Sequence, residues 1–129
     1  MSRKPEIKSD PMYMLLREEQ IDEFNKRKAQ GESFDLTNCD LRALDLRRIE
    51  AEGIDFSDSY FRLADLRGVN FSNSRLEGSS IHGAKISGCY FPKELSAEEI
   101  QLSLTKGTRM RYIRPDEKQQ RKSGLDFAF

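Results

Sequence analysis

Between Phe34 and Lys93 the sequence divides into twelve consecutive five-residue units without an insertion or deletion. They read FDLTN, CDLRA, LDLRR, IEAEG, IDFSD, SYFRL, ADLRG, VNFSN, SRLEG, SSIHG, AKISG and CYFPK. The middle residue is Leu, Phe or Ile in eleven units and Ala51 in the remaining one. The first residue is always apolar or small: Phe34, Cys39, Leu44, Ile49, Ile54, Ser59, Ala64, Val69, Ser74, Ser79, Ala84, Cys89. A strict period decides architecture before any single residue does, because each unit can bury its apolar side only against its neighbours. Apolar residues at positions one and three of five fit neither the 3.6-residue helix nor the two-residue strand. They fit a chain that turns a corner every five residues. Four sides close a coil of 20 residues, so the 60 residues predict three coils, each about 4.8 Å above the last.

On this reading the central residues stack 20 apart into four inward columns: Leu36–Phe56–Leu76, Leu41–Phe61–Ile81, Leu46–Leu66–Ile86 and Ala51–Phe71–Phe91. Ala51 falls beside Phe71, a pairing of small with large that volume matching in a packed core favours. The second residue is Asp or Asn at Asp35, Asp40, Asp45, Asp55, Asp65 and Asn70. Such side chains bond the backbone of a turn, so these positions read as turn formers. Tyr60, Arg75, Ser80, Lys85 and Tyr90 depart from that pattern at the same outward position. They are the stronger candidates for a partner-facing surface.

The units resemble pentapeptide repeats of the A(D/N)LxG type, and ADLRG at residues 64–68 matches outright. The layout as a whole is similar to small bacterial pentapeptide-repeat proteins with helical caps. That resemblance covers about half of the chain. It implies an all-β solenoid, a right-handed quadrilateral β-helix, and it is specific for fold rather than for activity.

A stacked solenoid leaves two open ends that need caps. Residues 1–10 read as a flexible N-terminus and 11–31 as one capping helix: Asp10 can N-cap, Pro11 suits the first helical position, and Gly31 can end it. Leu16, Ile21 and Phe24 form its apolar stripe, with Met14 nearby. At the other end Ser96 and Glu99 form a capping box and Gly107 suits C′, which predicts a second helix over 96–107. Residues 108–129 read as a basic tail with an apolar end, in which 108–113 alternate weakly as a short strand would.

Composition narrows the function. Apolar residues make up 36% and charged residues 34% of 129, with a mean hydropathy of −0.74. So much charge would mean disorder if unpatterned. Interleaved at fixed spacing, it predicts a thin core and a broad charged surface. Lys plus Arg equals Asp plus Glu at 22 each, so net charge steers the protein toward neither sign of partner. No leader or membrane span is evident, and two cysteines make no disulfide framework; the expectation is a cytoplasmic protein. Cys39 and Cys89 fall on different sides two coils apart, too distant for a bond and best read as small inward residues. His82, the one histidine, stands at an outward corner without a Cys cluster, so no metal site is expected. The aspartate ladder is interleaved with arginines and has no cleft to tune a pKa, so no enzyme is expected and no cofactor is called for.

Three partner readings follow. The first is another protein, held by Tyr60, Arg75, Lys85 and Tyr90 and by the apolar alternation Leu125, Phe127, Phe129, with a homodimer through the C-terminal helix or tail as a variant. The second is nucleic acid or another polyanion on Arg109, Arg111, Arg114, Arg121 and Lys122; residues 106–122 carry seven bases against Asp116 and Glu117. Such clusters are common in solvated tails, which makes this the weaker reading. The third comes from the resemblance: some pentapeptide-repeat proteins resemble duplex DNA, as long acidic rods that occupy DNA gyrase. This chain departs from them in its three short coils, its neutral charge and its uninterrupted repeats. A membrane partner is not expected.

Overall fold

A computed structural model of the chain describes residues 4–114. Its regular elements are α1 (Pro11–Arg17), α2 (Ile21–Ala29) and α3 (Ala97–Lys106), with the repeats between α2 and α3. Six isolated parallel bridges join residues 20 apart, among them Asp40 to Tyr60, Tyr60 to Ser80, Asp45 to Asp65 and Asp65 to Lys85. The chain thus returns onto itself once per four units, the register the period of five requires. No continuous strand forms among the described residues. Each side is too short for more than a bridge before the next corner.

The corners explain the fifth position. In nine units the backbone N–H of the next unit donates to the carbonyl of the third residue, as in Ser59 to Phe56 at 3.1 Å and Val69 to Leu66 at 3.0 Å. In seven of these nine the fifth residue has positive φ, at Asp58, Leu63 and five glycines, and Asn38 and Ala43 share that conformation in the first two units. A four-residue turn with positive φ only at its third residue is a type II turn. Gly78 is needed twice over: a Cβ there would lie 2.0 Å from the Asp58 carboxylate below it.

Of the inward columns, Leu36, Leu41, Leu46, Ala51, Phe56, Phe61, Leu66, Phe71, Leu76 and Ile81 are at most 3% exposed. Phe71 is the hub, with ring centroids 5.8 Å from Phe56, 5.9 Å from Phe61 and 6.2 Å from Phe91. Ile86 and Phe91, in the last coil, are only half-buried.

The N-terminal end is closed by two helices rather than one. Asp10 caps α1, its Oδ1 accepting from Met12 N at 2.8 Å and Tyr13 N at 3.2 Å. The break at Glu19, where φ is +58°, separates α1 from α2. The α2 terminus is a Schellman closure: Gly31 N donates to Lys28 O and Glu32 N to Arg27 O. Nor are residues 4–10 loose, for Glu6 bridges Cys39 and Lys8 pairs with Asp35 at 3.1 Å.

This cap satisfies one downward backbone N–H on every side of the first coil. Asp35 N donates to Asp10 Oδ2 at 3.0 Å, and Asp40 N to Glu6 O at 3.0 Å. Asp45 N donates to Glu19 Oε2 at 2.7 Å, and Glu50 N to Asn25 Oδ1 at 2.9 Å. Among the described residues the C-terminal end is closed on two sides. Leu76 N meets the Tyr112 hydroxyl, Gly78 N meets Met110 O, Ile81 N meets Ser103 Oγ and Gly83 N meets Leu104 O. Among the described residues no partner faces the equivalent N–H groups of Ile86, Gly88 and Phe91.

Residues 108–114, read as the start of a basic tail with a short strand, form no strand and are part of this cap. Met110 is fully buried, and Ile113 N donates to Glu94 O at 2.8 Å.

Candidate interaction surface

Every Asp or Asn at the second position folds onto its own turn. Its side-chain oxygen accepts from the N–H two residues on: Asp35 from Thr37, Asp40 from Arg42, Asp45 from Arg47, Asp55 from Ser57, Asp65 from Arg67 and Asn70 from Ser72, at 2.9–3.2 Å. Where that second residue is Arg, its guanidinium also wraps back on the carboxylate. Arg42–Asp40 closes at 2.8 Å, and Arg47–Asp45 and Arg67–Asp65 at 2.7 Å. Arg67 holds the Asp65 carboxyl down at about 2. The Thr37 hydroxyl and amide, helped by Lys8, hold Asp35 at about 2. The carboxylates of Asp35, Asp40, Asp45 and Asp65 are each paired with a cation, so the ladder presents paired charge rather than a run of bare anions.

The candidate contact residues lie on four different sides. Tyr60 is half-buried between two cations, with Arg62 5.5 Å and Arg109 5.3 Å from its ring. Ser80, directly above it, is fully buried and donates to Gly107 O at 3.2 Å. Arg75 pairs with Glu77 and lies 5.3 Å from the Tyr112 ring. Lys85 is exposed at the end of the Asp45–Asp65 column, and Tyr90 is 66% exposed beyond Asn70. Lys85 and Tyr90 stand outward on adjoining sides of the last coil.

Of the basic candidates, Arg109 Nη1 bonds Gly78 O at 3.0 Å and pairs with Asp58 at 3.5 Å. Arg111 N donates to Glu99 Oε1 at 2.9 Å, and its guanidinium lies 3.5 Å from Oε2. Arg114 is exposed. Arg121, Lys122, Leu125, Phe127 and Phe129 lie outside the described residues.

Three features escape sequence reasoning. Leu63 is 67% exposed in a left-handed conformation. His82, expected at the surface, is half-buried, and its buried Nδ1 has no hydrogen-bond partner among the described residues; the ring packs against Gly107, where a Cβ would lie 3.2 Å from Nδ1. Serines at the first position donate to the carbonyl 23 residues earlier: Ser59 to Leu36 at 2.7 Å, Ser74 to Ala51 at 2.6 Å, Ser79 to Phe56 at 2.8 Å. A signal existed only for the last of these, since a buried hydroxyl must find a partner.

Grooves on the body are shallow and charged. One of about 600 Å³ runs between Glu19–Glu23 and Asp45, Arg47 and Arg48, unlike the apolar clefts that hold small ligands. Among the described residues no group of His, Cys, Asp and Glu could hold a metal ion, and no helix is long and apolar enough to cross a membrane. Both cysteines are unpaired, and burial pushes the Cys39 thiol up to about 12.

The repeat geometry agrees with the one family found by comparison. The model for pentapeptide repeats matches in eight copies, over residues 35–73 and 54–91. Residues 35–91 are pentapeptide repeats. Searches for similar curated proteins and similar solved structures find no match.

Proposed function

We propose that this chain is a non-catalytic protein-interaction scaffold: a rigid, right-handed, four-sided β-helix that works in the cytoplasm. It presents fixed outward side chains, and its C-terminal residues, to another protein. Pentapeptide-repeat proteins are in general scaffolds without catalytic activity. One observation carries the reading. The repeat carboxylates are committed to their own turns and arginines, which removes the acid–base pair an enzyme would need and leaves Tyr90 and Lys85 outward on a fixed frame. Arg109 and Arg111 similarly spend charge on Asp58 and Glu99, which weakens the polyanion and DNA-mimic readings.

Affinity capture tests it, using the unaltered chain beside a Tyr90→Ala, Lys85→Ala double variant at low and high salt. The expected result is a protein retained through high salt by the unaltered chain and lost by the variant. Recovery of RNA, DNA or a topoisomerase that fades as salt rises, equal for both forms, would overturn the reading.

A further inference from the structure

We propose that the corner between the second and third sides of the coil, tipped by Leu63 and rimmed by arginines, is a docking ridge for an acidic amphipathic helix of another protein. The four sides begin at residues 34–38, 39–43, 44–48 and 49–53, and later coils stack on them at intervals of 20. Charge divides between these sides. The second and third carry Arg42, Arg47, Arg48, Arg62, Arg67 and Lys85 against Asp40, Asp45 and Asp65. The first and fourth carry Asp35, Glu50, Glu52, Asp55, Asp58 and Glu77 against Arg75 and Lys93. A chain of balanced charge is thus polarised across its axis, basic on two adjoining sides and acidic on the other two.

Pairing sharpens this division rather than erasing it. The side chains of Asp40 and Asp65 are 11% and 15% exposed, beneath Arg42 at 57% and Arg67 at 44%. These carboxylates lie low against their turns while the guanidinium groups stand outward, where an approaching partner meets them first. On the first side two of the three pairs are reversed, with Asp35 outside Lys8 and Asp58 outside Arg109; Arg75 over Glu77 is the exception. The division fades only at the lower end of the third side, where Asp45 is nearly as exposed as Arg47 and Glu19 and Asp22 lie close. Arg17 adds a cation beside Asp40 on the second side.

The corner itself is apolar. Ala43, Leu63 and Gly83 stack there at the fifth position, all exposed and all left-handed, with φ of +61°, +62° and +69°. Each of the other corner columns carries charge or an amide, at Asp58, Arg48 and Asn73 among others. A lone exposed leucine is ordinary; this one is built into its place. A Cβ on Gly83 would lie 2.8 Å from Leu63 Cδ2, so the glycine leaves the leucine its room. Arg62, the preceding residue, lies over the Tyr60 ring at 5.5 Å, which holds a cation at the foot of the knob. A single knob between small neighbours fits the hole between side chains four apart on a helix. Cations on both flanks select acidic residues around that hole. Nucleic acid would reward the arginines and leave the leucine in water.

This inference rests on the scaffold reading and gives it a second face. NMR titration of the isotope-labelled full-length chain tests it with three probes. They are a capped helical peptide of Glu and Ala with two leucines four residues apart, the same peptide with alanine for both leucines, and oligouridine RNA. Saturable shift changes are expected at the Tyr60, Leu63, Arg67 and Gly83 amides, with Asp35, Asp55 and Glu77 unmoved. The leucine peptide should bind about tenfold more tightly than the alanine peptide. Leu63→Asn should bring the two together, and Arg67→Gln should weaken both by about threefold at low salt. No saturable change, changes on the first side, or equal binding of the two peptides to the unaltered chain would overturn the proposal. So would RNA binding that exceeds both peptides and survives Leu63→Asn. Where a variant loses its Phe71 amide signal by unfolding, the leucine preference and the shift pattern of the unaltered chain decide. The probes are synthetic, so failure here with capture intact removes the ridge alone. Failed capture with saturable binding here removes only the Tyr90 and Lys85 surface.

Discussion

The Ser59 hydroxyl sits inside a turn of the coil below it, donating to the Leu36 carbonyl at 2.7 Å and accepting from the Cys39 amide at 2.9 Å. At the equivalent corners of other units the amide donates directly to that carbonyl; here the hydroxyl is inserted between them. Ser59 is fully buried, so Ser59→Ala strands both a donor and an acceptor. The expected loss is about 1–3 kcal/mol, read as a lower urea midpoint. Ser79→Ala removes one of two donors to the Phe56 carbonyl, which keeps the Ser59 amide, and should cost less. Equal and negligible losses would make these serines mere space fillers.

That bridge also marks the boundary of what the sequence could convey. Period, coil length and inward columns follow from spacing alone, because every unit repeats the same local demand. The first-position serines read as small residues, since their partners lie 23 residues back and only stacking brings them near. The N-terminal cap reads as one helix because no Gly or Pro interrupts residues 12–30. What breaks it is tertiary: Glu19 turns left-handed and aims its carboxylate at Asp45 N. Met110 was hidden by its neighbours, as Arg109 and Arg111 make the segment look solvated while Asp58 and Glu99 anchor them to the body. The candidate surface was least legible, because outward residues stacked in one column look alike in sequence whether exposed, as Lys85 is, or covered, as Ser80 is.

Phe71 joins three other rings at the centre of the stack and is 1% exposed. Phe71→Ala should cost about 3–5 kcal/mol through lost transfer and the cavity left behind. Phe71→Asp should abolish folding by burying an unpaired charge. Circular dichroism and one-dimensional NMR of the two variants would check this. A folded Phe71→Asp protein would mean the inward column is misassigned.

Asp10 serves two structures at once, with Oδ1 on the first turn of α1 and Oδ2 on Asp35 N of the first coil. Asp10→Asn keeps one acceptor and should lose only part of this, whereas Asp10→Ala should cost about 1–2 kcal/mol. Exchange at Asp35 and Tyr13 amides should rise together in the alanine variant. A rise at Tyr13 alone would confine the role of Asp10 to the helix.

Acid should weaken the fold over a defined window. The carboxyls of Asp35 and Asp65 titrate at about 2 in the folded chain, below the ordinary value near 3.9 in an unfolded one. A group depressed in this way contributes its stability above the unfolded value and loses it as pH falls through the folded one. Thermal midpoints should therefore hold above about pH 5 and fall between pH 4 and 2. Asp65→Asn, which keeps the turn acceptor but not the charge, should flatten that slope. At the alkaline end buried Tyr13, raised to about 12 by burial, should erode stability as pH climbs from 10 through 12. An unchanged acid slope in Asp65→Asn would show that the pairing with Arg67 carries no stability.

Leu63 holds φ at +62° with 67% of its surface exposed, while the same left-handed turn position is taken elsewhere by five glycines and by Asn38, Ala43 and Asp58. A left-handed conformation is strained for leucine and easy for asparagine, as at Asn38. An exposed apolar side chain held at a local cost is the kind of departure that marks a contact surface. Leu63→Asn should therefore stabilise the isolated protein by up to about 1 kcal/mol, seen as a higher thermal midpoint. Capture of the partner by the same variant should fall. A stabilised protein with undiminished capture would remove Leu63 from the contact surface, and a destabilised one would show that its packing over Gly83 outweighs the backbone strain.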